Sequence, residues 1–282
     1  MHVHREEDRP LGDLREGVLG AVSDDAFYAR LDATTYEPTG ATVGPWDPAL
    51  QHGGPVAALI ASAFEANAPR AGTRIAHFAL DFLGPVPLST MRVETEVVRP
   101  GKKIELLAGT VSIGDRVALR ASAWRIATEP SKNPSVNLSQ PPPPLPETTA
   151  SAFFPGVPTF GYGEASEWRF AHGGFESLGE AAVWTRLKVA VVRGEPVSAI
   201  ARTMAMVDSA NGISAELDVR KFLFVPVNLT VSIARMPEGE WVGMHARTAL
   251  ASEGAGTTHA RLFDAHGYFG ESLQTLFVEP RR

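Results

Sequence analysis

Hydrophobic and polar positions follow two rhythms along this chain, and the rhythms come in the same order twice. From Val56 to Ala66 the residues are apolar on nearly every side and rich in alanine, which predicts a buried helix. Gly53-Gly54 and Pro55 stand at its start and Asn67-Ala68-Pro69 at its stop. A strand-like stretch over 36–43 precedes it, leading through Gly44-Pro45-Trp46 into Gln51-His52. Alternating stretches follow over 75–83, Met91–Arg99, Ile104–Ile113 and, after a turn at Gly114-Asp115, 116–126. In Met91–Arg99 the residues Met91, Val93, Thr95 and Val97 share one face, and Arg92, Glu94, Glu96 and Val98 the other. A sheet with one apolar face should lay that face on the helix.

The second half repeats the scheme. Strands are predicted over 168–170 and 183–192, and Pro196 opens a helix over 197–210 that Asn211-Gly212 should end. Further strands are predicted over 221–235, 241–250, 257–264 and 268–278. Identity between the halves is low, so the repeat rests on order and spacing. Between them, 131–158 holds the run Pro141-Pro142-Pro143-Pro144 with Pro134, Pro146, Pro155 and Pro158 around it. Proline fixes φ and lacks an N–H, so this reads as a linker with polyproline II character. The chain then divides into a mobile polar extension (1–22), a first module (23–130), a Pro-rich linker (131–160) and a second module (161–282).

Composition narrows the chemistry. The 282 residues are 44% hydrophobic, enough for a full core. Net charge is −6 with no long basic run, which argues against a nucleic-acid footprint. With no cysteine, disulfides, thiolate nucleophiles and Cys-ligated metals are excluded. The eight histidines show no ligand spacing, so no metal is expected, and without a Gly-x-Gly-x-x-Gly or Walker loop no nucleotide cofactor is expected either. No apolar run reaches the roughly 20 residues that cross a bilayer, and Met1 to Glu16 lacks a signal-peptide core. A cytoplasmic location with no membrane contact is the expectation.

Three features could carry chemistry. His52-Gly53-Gly54 sits at a helix start, where unpaired N–H groups and the dipole attract anions and polarise carbonyls. The bland alternative is a tight turn that only glycine fits, and the motif by itself favours that. A serine-esterase reading of His-Gly-Gly needs a Gly-x-Ser-x-Gly elbow, which the sequence lacks. His172-Gly173-Gly174 repeats the string with no helix after it and reads as a loop. Asp208 stands on an otherwise apolar helix; it is either solvent-facing near the helix end or buried for function. Gln274 lies in the last strand, on the face of Ser272 and Leu276, opposite Leu273, Thr275 and Phe277. From the pattern alone it reads as a solvent-facing amide. Its counterpart in the first half reads as Trp124.

Taken in order, the Gly-Gly helix start, Val207-Asp208-Ser209, the 222–229 strand and Ser272-Leu273-Gln274 resemble the TesB-like acyl-CoA thioesterases (acyl-CoA thioesterase II). The resemblance spans about 24–279. It implies a double-hotdog α+β fold, in which two helix-wrapped antiparallel sheets join side by side in one chain. It also implies hydrolysis of acyl-CoA thioesters in fatty acid metabolism, without a cofactor. The family's water-binding Asp and Gln fall on Asp208 and Gln274, and its usual third polar residue, a Thr, is missing: Glu216 stands there with Ser214 nearby. His52, Gly53 and Gly54 are expected at the substrate, with Gly53 and Gly54 amides on its carbonyl. A homodimer or higher homo-oligomer stays open. So do two other activities: a non-catalytic acyl-CoA or acyl-carrier binding protein, and a hotdog enoyl-CoA hydratase. The hydratase needs an Asp–His pair, for which His52 offers only Asp47 nearby in sequence.

Overall fold

A computed structural model of the chain describes residues 25–128, 134–136, 138, 140–150 and 152–281; the extension expected over 1–22 lies outside them. In the first half, β1 (Ala26–Arg30) and β2 (Thr35–Pro38) lead to helix α1 (Gly53–Ala66), then β3 (Thr73–Phe82), β4 (Met91–Arg99), β5 (Ile104–Ile113) and β6 (Arg116–Ala127). In the second, a helical turn α2 (Gly161–Glu164) precedes β7 (Ser166–His172), β8 (Ala181–Leu187) and β9 (Ala190–Val192). Helix α3 (Ala199–Val207) and the turn α4 (Ala210–Ile213) then lead to β10 (Phe222–Ile233), β11 (Val242–Leu250), β12 (Ala255–Asp264) and β13 (Gly267–Pro280). These strands form one sheet in the order β7-β8-β11-β12-β13-β10-β3-β6-β5-β4-β2-β1-β9. One seam between the halves is the antiparallel pair β10–β3, with Thr230 opposite Ala79. The two halves of this sheet, each wrapped on its helix and joined edge to edge, make the double-hotdog α+β fold.

The sheet also curls back on itself. Only Lys188 and Val189 separate β8, near one end of the strand order, from β9 at the other. Three peptide steps reach at most about 11 Å, so the two ends lie close together. β9 pairs in parallel with β1, Ala26 opposite Ala190 and Tyr28 opposite Val192. Helices α1 and α3 pack on each other inside the curl.

The helix ends are held by particular side chains. His52 caps α1, its side chain accepting from the Gly54 N–H, and Pro55 occupies the first turn, where an N–H has no intrahelical partner. At the other end Arg125, only 3% exposed, donates to the carbonyls of Phe64 (2.8 Å), Asn67 (2.7 Å) and Ala68 (3.1 Å). A buried cation there satisfies orphan carbonyls and suits the helix dipole, and Glu105 at 3.4 Å balances its charge. Ser198 caps α3, accepting from the Ala201 N–H at 2.9 Å, and its hydroxyl donates to Glu65 of α1. The C-terminal end of α1 therefore meets the start of α3, and the two helices run antiparallel.

Several sequence expectations shift. The strand expected over 36–43 ends at Pro38, because Thr39 caps a short 3-10 turn over Gly40–Thr42. The strand expected over 183–192 breaks into β8 and β9, since its two parts pair with different halves. The helix expected over 197–210 stops at Val207, and Asn211-Gly212 lies inside α4 instead of ending the helix. Trp124 is half-buried on the face of β6 opposite Ala121 and Ala123, which point into the core, so it does not mirror Gln274.

Candidate functional site

The start of α1 is fixed from three sides. The His52 N–H donates to the Thr42 carbonyl (2.7 Å) and the Gln51 N–H to that of Val86 (2.8 Å). The Gln51 amide accepts from the Tyr28 hydroxyl (2.9 Å) and donates to the Pro87 carbonyl (2.8 Å). The two glycines that follow allow close approach to α3. A Cβ on Gly54 would sit 2.2 Å from the Ala205 carbonyl oxygen, and one on Gly53 would sit 2.7 Å from Asp208 Oδ2. Both positions require glycine for lack of space.

Asp208 terminates α3 and is 3% exposed. Its Oδ2 lies 3.2 Å from His52 Nδ1. The carboxylate partner of His52 is therefore Asp208 from the other half; Asp47 accepts instead from the Ala49 N–H at 2.8 Å. Burial pushes the Asp208 carboxyl up to about 7, opposed by hydrogen bonds from the Gly54 N–H and Gln274. Burial pushes His52 down to about 3, so its ring is neutral and the contact is not an ion pair. His52 Nδ1 accepts from the Gly54 N–H at 3.0 Å, which puts the ring proton on Nε2. Nδ1 and an ionised Asp208 are then both acceptors, and the Gly54 N–H lies against both.

The residues converge on a cavity of about 370 Å³ whose wall includes His52, Gly53 and Asp208. Gln274 is fully buried beside it: Nε2 donates to the Asp208 main-chain carbonyl at 3.0 Å. The strand alternation is as expected but its facing is reversed. Ser272, Gln274 and Leu276 point inward, while Leu273 (48%) and Phe277 (45%) are exposed. Asp208 Oδ1 and Gln274 Oε1 are buried acceptors with no donor among the described residues. Of the two amides expected at the substrate carbonyl, that of Gly54 is engaged by His52 and Asp208, whereas that of Gly53 has no acceptor among the described residues.

Ser214 is not brought to the cavity wall. Its hydroxyl bonds the Ala210 carbonyl (2.8 Å) and Thr248 Oγ1 (2.8 Å), which in turn meets Thr258 Oγ1 (2.7 Å), cross-strand neighbour of Gln274. Glu216 is exposed. Sequence reasoning missed Tyr162, whose ring stacks on His52 at 3.9 Å and whose hydroxyl bonds the Ala205 carbonyl (2.8 Å) and Ser209 (2.6 Å). It also missed that the Pro-rich segment is wall as well as connector: Phe154 and Phe160 line the cavity. The run Phe153-Phe154 was the available signal.

Comparison with known proteins places this arrangement. Residues 139–278 match the acyl-CoA thioesterase C-terminal domain, and residues 42–126 match the acyl-CoA thioesterase N-terminal domain. No curated protein matches the sequence. Among solved structures, a hot dog fold protein of unknown function from Alicyclobacillus acidocaldarius is similar at 16% identity and TM-score 0.69, over 92% of this chain and 98% of that one. The acyl-CoA thioesterase II TesB2 of Mycobacterium marinum is similar at 14% identity and TM-score 0.64 (92% and 96%). The tesB protein of Mycobacterium avium subsp. paratuberculosis is similar at 13% and 0.60 (90% and 96%). These structural likenesses show the fold, and the two domain matches show more: the chain belongs to the acyl-CoA thioesterase family and is a thioester hydrolase.

Proposed function

We propose that the chain hydrolyses acyl-CoA thioesters by direct attack of a water molecule, with Asp208 as general base and Gln274 orienting the water. The observation that carries this reading is Asp208 itself. It is a carboxyl buried at the cavity wall, poised to ionise near pH 7 and touched by the helix start of the other half. Asp208 Oδ1 and Gln274 Oε1 are acceptors in need of donors, and one water carries two O–H donors. In the chemical step the water oxygen adds to the thioester carbonyl carbon and its proton passes to Asp208. The resulting oxyanion is met by the Gly53 N–H and His52 Nε2–H, and one such donor is typically worth about 3 kcal/mol. The carbon–sulfur bond then breaks, the departing CoA sulfur takes the proton from Asp208 and leaves as the thiol, and Asp208 is ionised again. Ser214 has no part, because its hydroxyl is committed to Ala210 and Thr248.

Thiol release from acyl-CoAs tests the reading. Gln274→Ala should lower kcat by about 10²-fold, within the range for loss of acid–base positioning, with KM little changed. Wild-type turnover in both Gln274→Ala and Asp208→Asn sinks the assignment. A second reading has one observation in its favour: hydration of an enoyl thioester uses an Asp–His pair, and His52 and Asp208 make contact. Addition of water to a 2-enoyl-CoA faster than any thiol release would replace hydrolysis by hydration.

A further inference from the structure

The cavity lining is of two kinds. Val227 (42%) and Phe277 (45%) are well exposed. Phe154, Phe160, Tyr162, Trp168 and Phe175 are each 8% exposed or less. These rings hold one another. Phe175 meets Phe154 at 5.2 Å and 71°, and Trp168 at 5.3 Å and 72°. Trp168 meets Tyr162 at 6.0 Å and 74°, and Tyr162 stacks on His52. Edge-to-face packing is the favoured geometry of aromatic pairs, so the wall is stiff and presents ring edges and faces to whatever enters. The aromatic lining begins at the reacting residues themselves. Its volume, about 370 Å³, stands at the small end of the roughly 300–1,000 Å³ usual for ligand pockets.

Resting on the thioesterase reading, we propose that the acyl group accepted here is compact and arylated, of the benzoyl or phenylacetyl kind, and not a long straight chain. A flat ring extends the edge-to-face network of the lining. A long flexible chain outgrows a cavity of about 370 Å³ and loses more rotamer freedom on entering.

The experiment compares kcat/KM for phenylacetyl-CoA, octanoyl-CoA and palmitoyl-CoA in the wild type and in Phe175→Leu. In the wild type, phenylacetyl-CoA should exceed octanoyl-CoA by about tenfold, a preference of ~1.4 kcal/mol of the size ring contacts supply. Palmitoyl-CoA should fall about 100-fold below octanoyl-CoA. The aryl preference should collapse towards unity in Phe175→Leu. If that variant does not fold, Phe154→Leu takes its place. A wild-type preference for octanoyl-CoA or palmitoyl-CoA overturns the inference, and so does an aryl preference unchanged in the variant. If no thioester turns over, the hydrolytic reading fails by itself. Calorimetric binding of the non-hydrolysable phenylacetyl and octanoyl thioethers of CoA then decides the pocket: tighter phenylacetyl binding supports the inference, and equal or weaker binding overturns it.

Discussion

Replacing Asp208 by Asn should make the protein more stable and less active at the same time, and the stability gain should depend on pH in one direction only. The native carboxyl gives up its proton near 7, against 3.8 for an ordinary aspartate. Between those values the unfolded chain has lost the proton while the native protein keeps it. The native state then binds more protons, so wild-type stability falls as pH rises from about 4 to 7 and is flat above. The full cost of the buried carboxylate at pH 8 is about 4 kcal/mol. Asparagine avoids that cost: its amide N–H can donate to His52 Nδ1 and its oxygen can accept from the Gly54 N–H. Reversible urea unfolding at pH 5 and pH 8 reads the difference. His52 contributes an opposite slope between its folded value near 3 and its unfolded value near 6.5, but it does so in both proteins and cancels in the comparison. The variant should gain 2 kcal/mol or more at pH 8 relative to wild type, with most of the gain gone by pH 5. Thiol release should drop by about 10²–10⁴-fold. A variant less stable than wild type at pH 8, or a difference independent of pH, refutes the argument that desolvation governs this carboxyl.

Three further outcomes follow from the same geometry. Wild-type kcat should rise with pH through a single inflection near 7, as Asp208 ionises, with no second inflection from His52 between pH 5 and 9, because that ring stays neutral; stopped-time thiol assays across that range check it. Gly54→Ala places a methyl group 2.2 Å from the Ala205 carbonyl; overpacking of this kind costs about 1–3 kcal/mol or more, visible as a lowered urea midpoint together with lost turnover. Arg125→Met leaves the buried Glu105 with only Arg70 at 3.7 Å and strips the carbonyls of Phe64, Asn67 and Ala68 of this donor, and should destabilise by about 3–5 kcal/mol in the same assay, while a conservative change at exposed Arg92 should not.

The local elements were legible because their signals are local. Met91–Arg99 and Ile104–Ile113 form as the alternation predicts, and the alanine-rich run forms α1. Asp208 stood out because a carboxylate amid Met204, Ala205, Met206 and Val207 is an energetic oddity. What the sequence concealed is non-local. His52 finds its carboxyl in the opposite half, so proximity along the chain pointed to Asp47. The break after Leu187 answers to β1, far away in the chain. Gln274 was misfaced because Leu273 and Phe277 are the larger apolar groups; the inner face of that strand is spent on meeting the end of α3, where an amide hydrogen bond outweighs another leucine.

The parallel pairing of Ala190–Val192 with β1 means that neither half can be excised intact. A fragment cut before the Pro-rich segment would bare one flank of β1, an open edge of the sort that templates aggregation. The complementary fragment would carry a strand with nothing to lie against. Lys188-Val189 thus joins strands that pair with opposite halves of the sequence. An insertion or deletion there would shift the registry of a strand contributed by residues written more than a hundred positions earlier. The gene can tolerate drift between its two copies, but the length of this one connector is a debt each copy holds over the other.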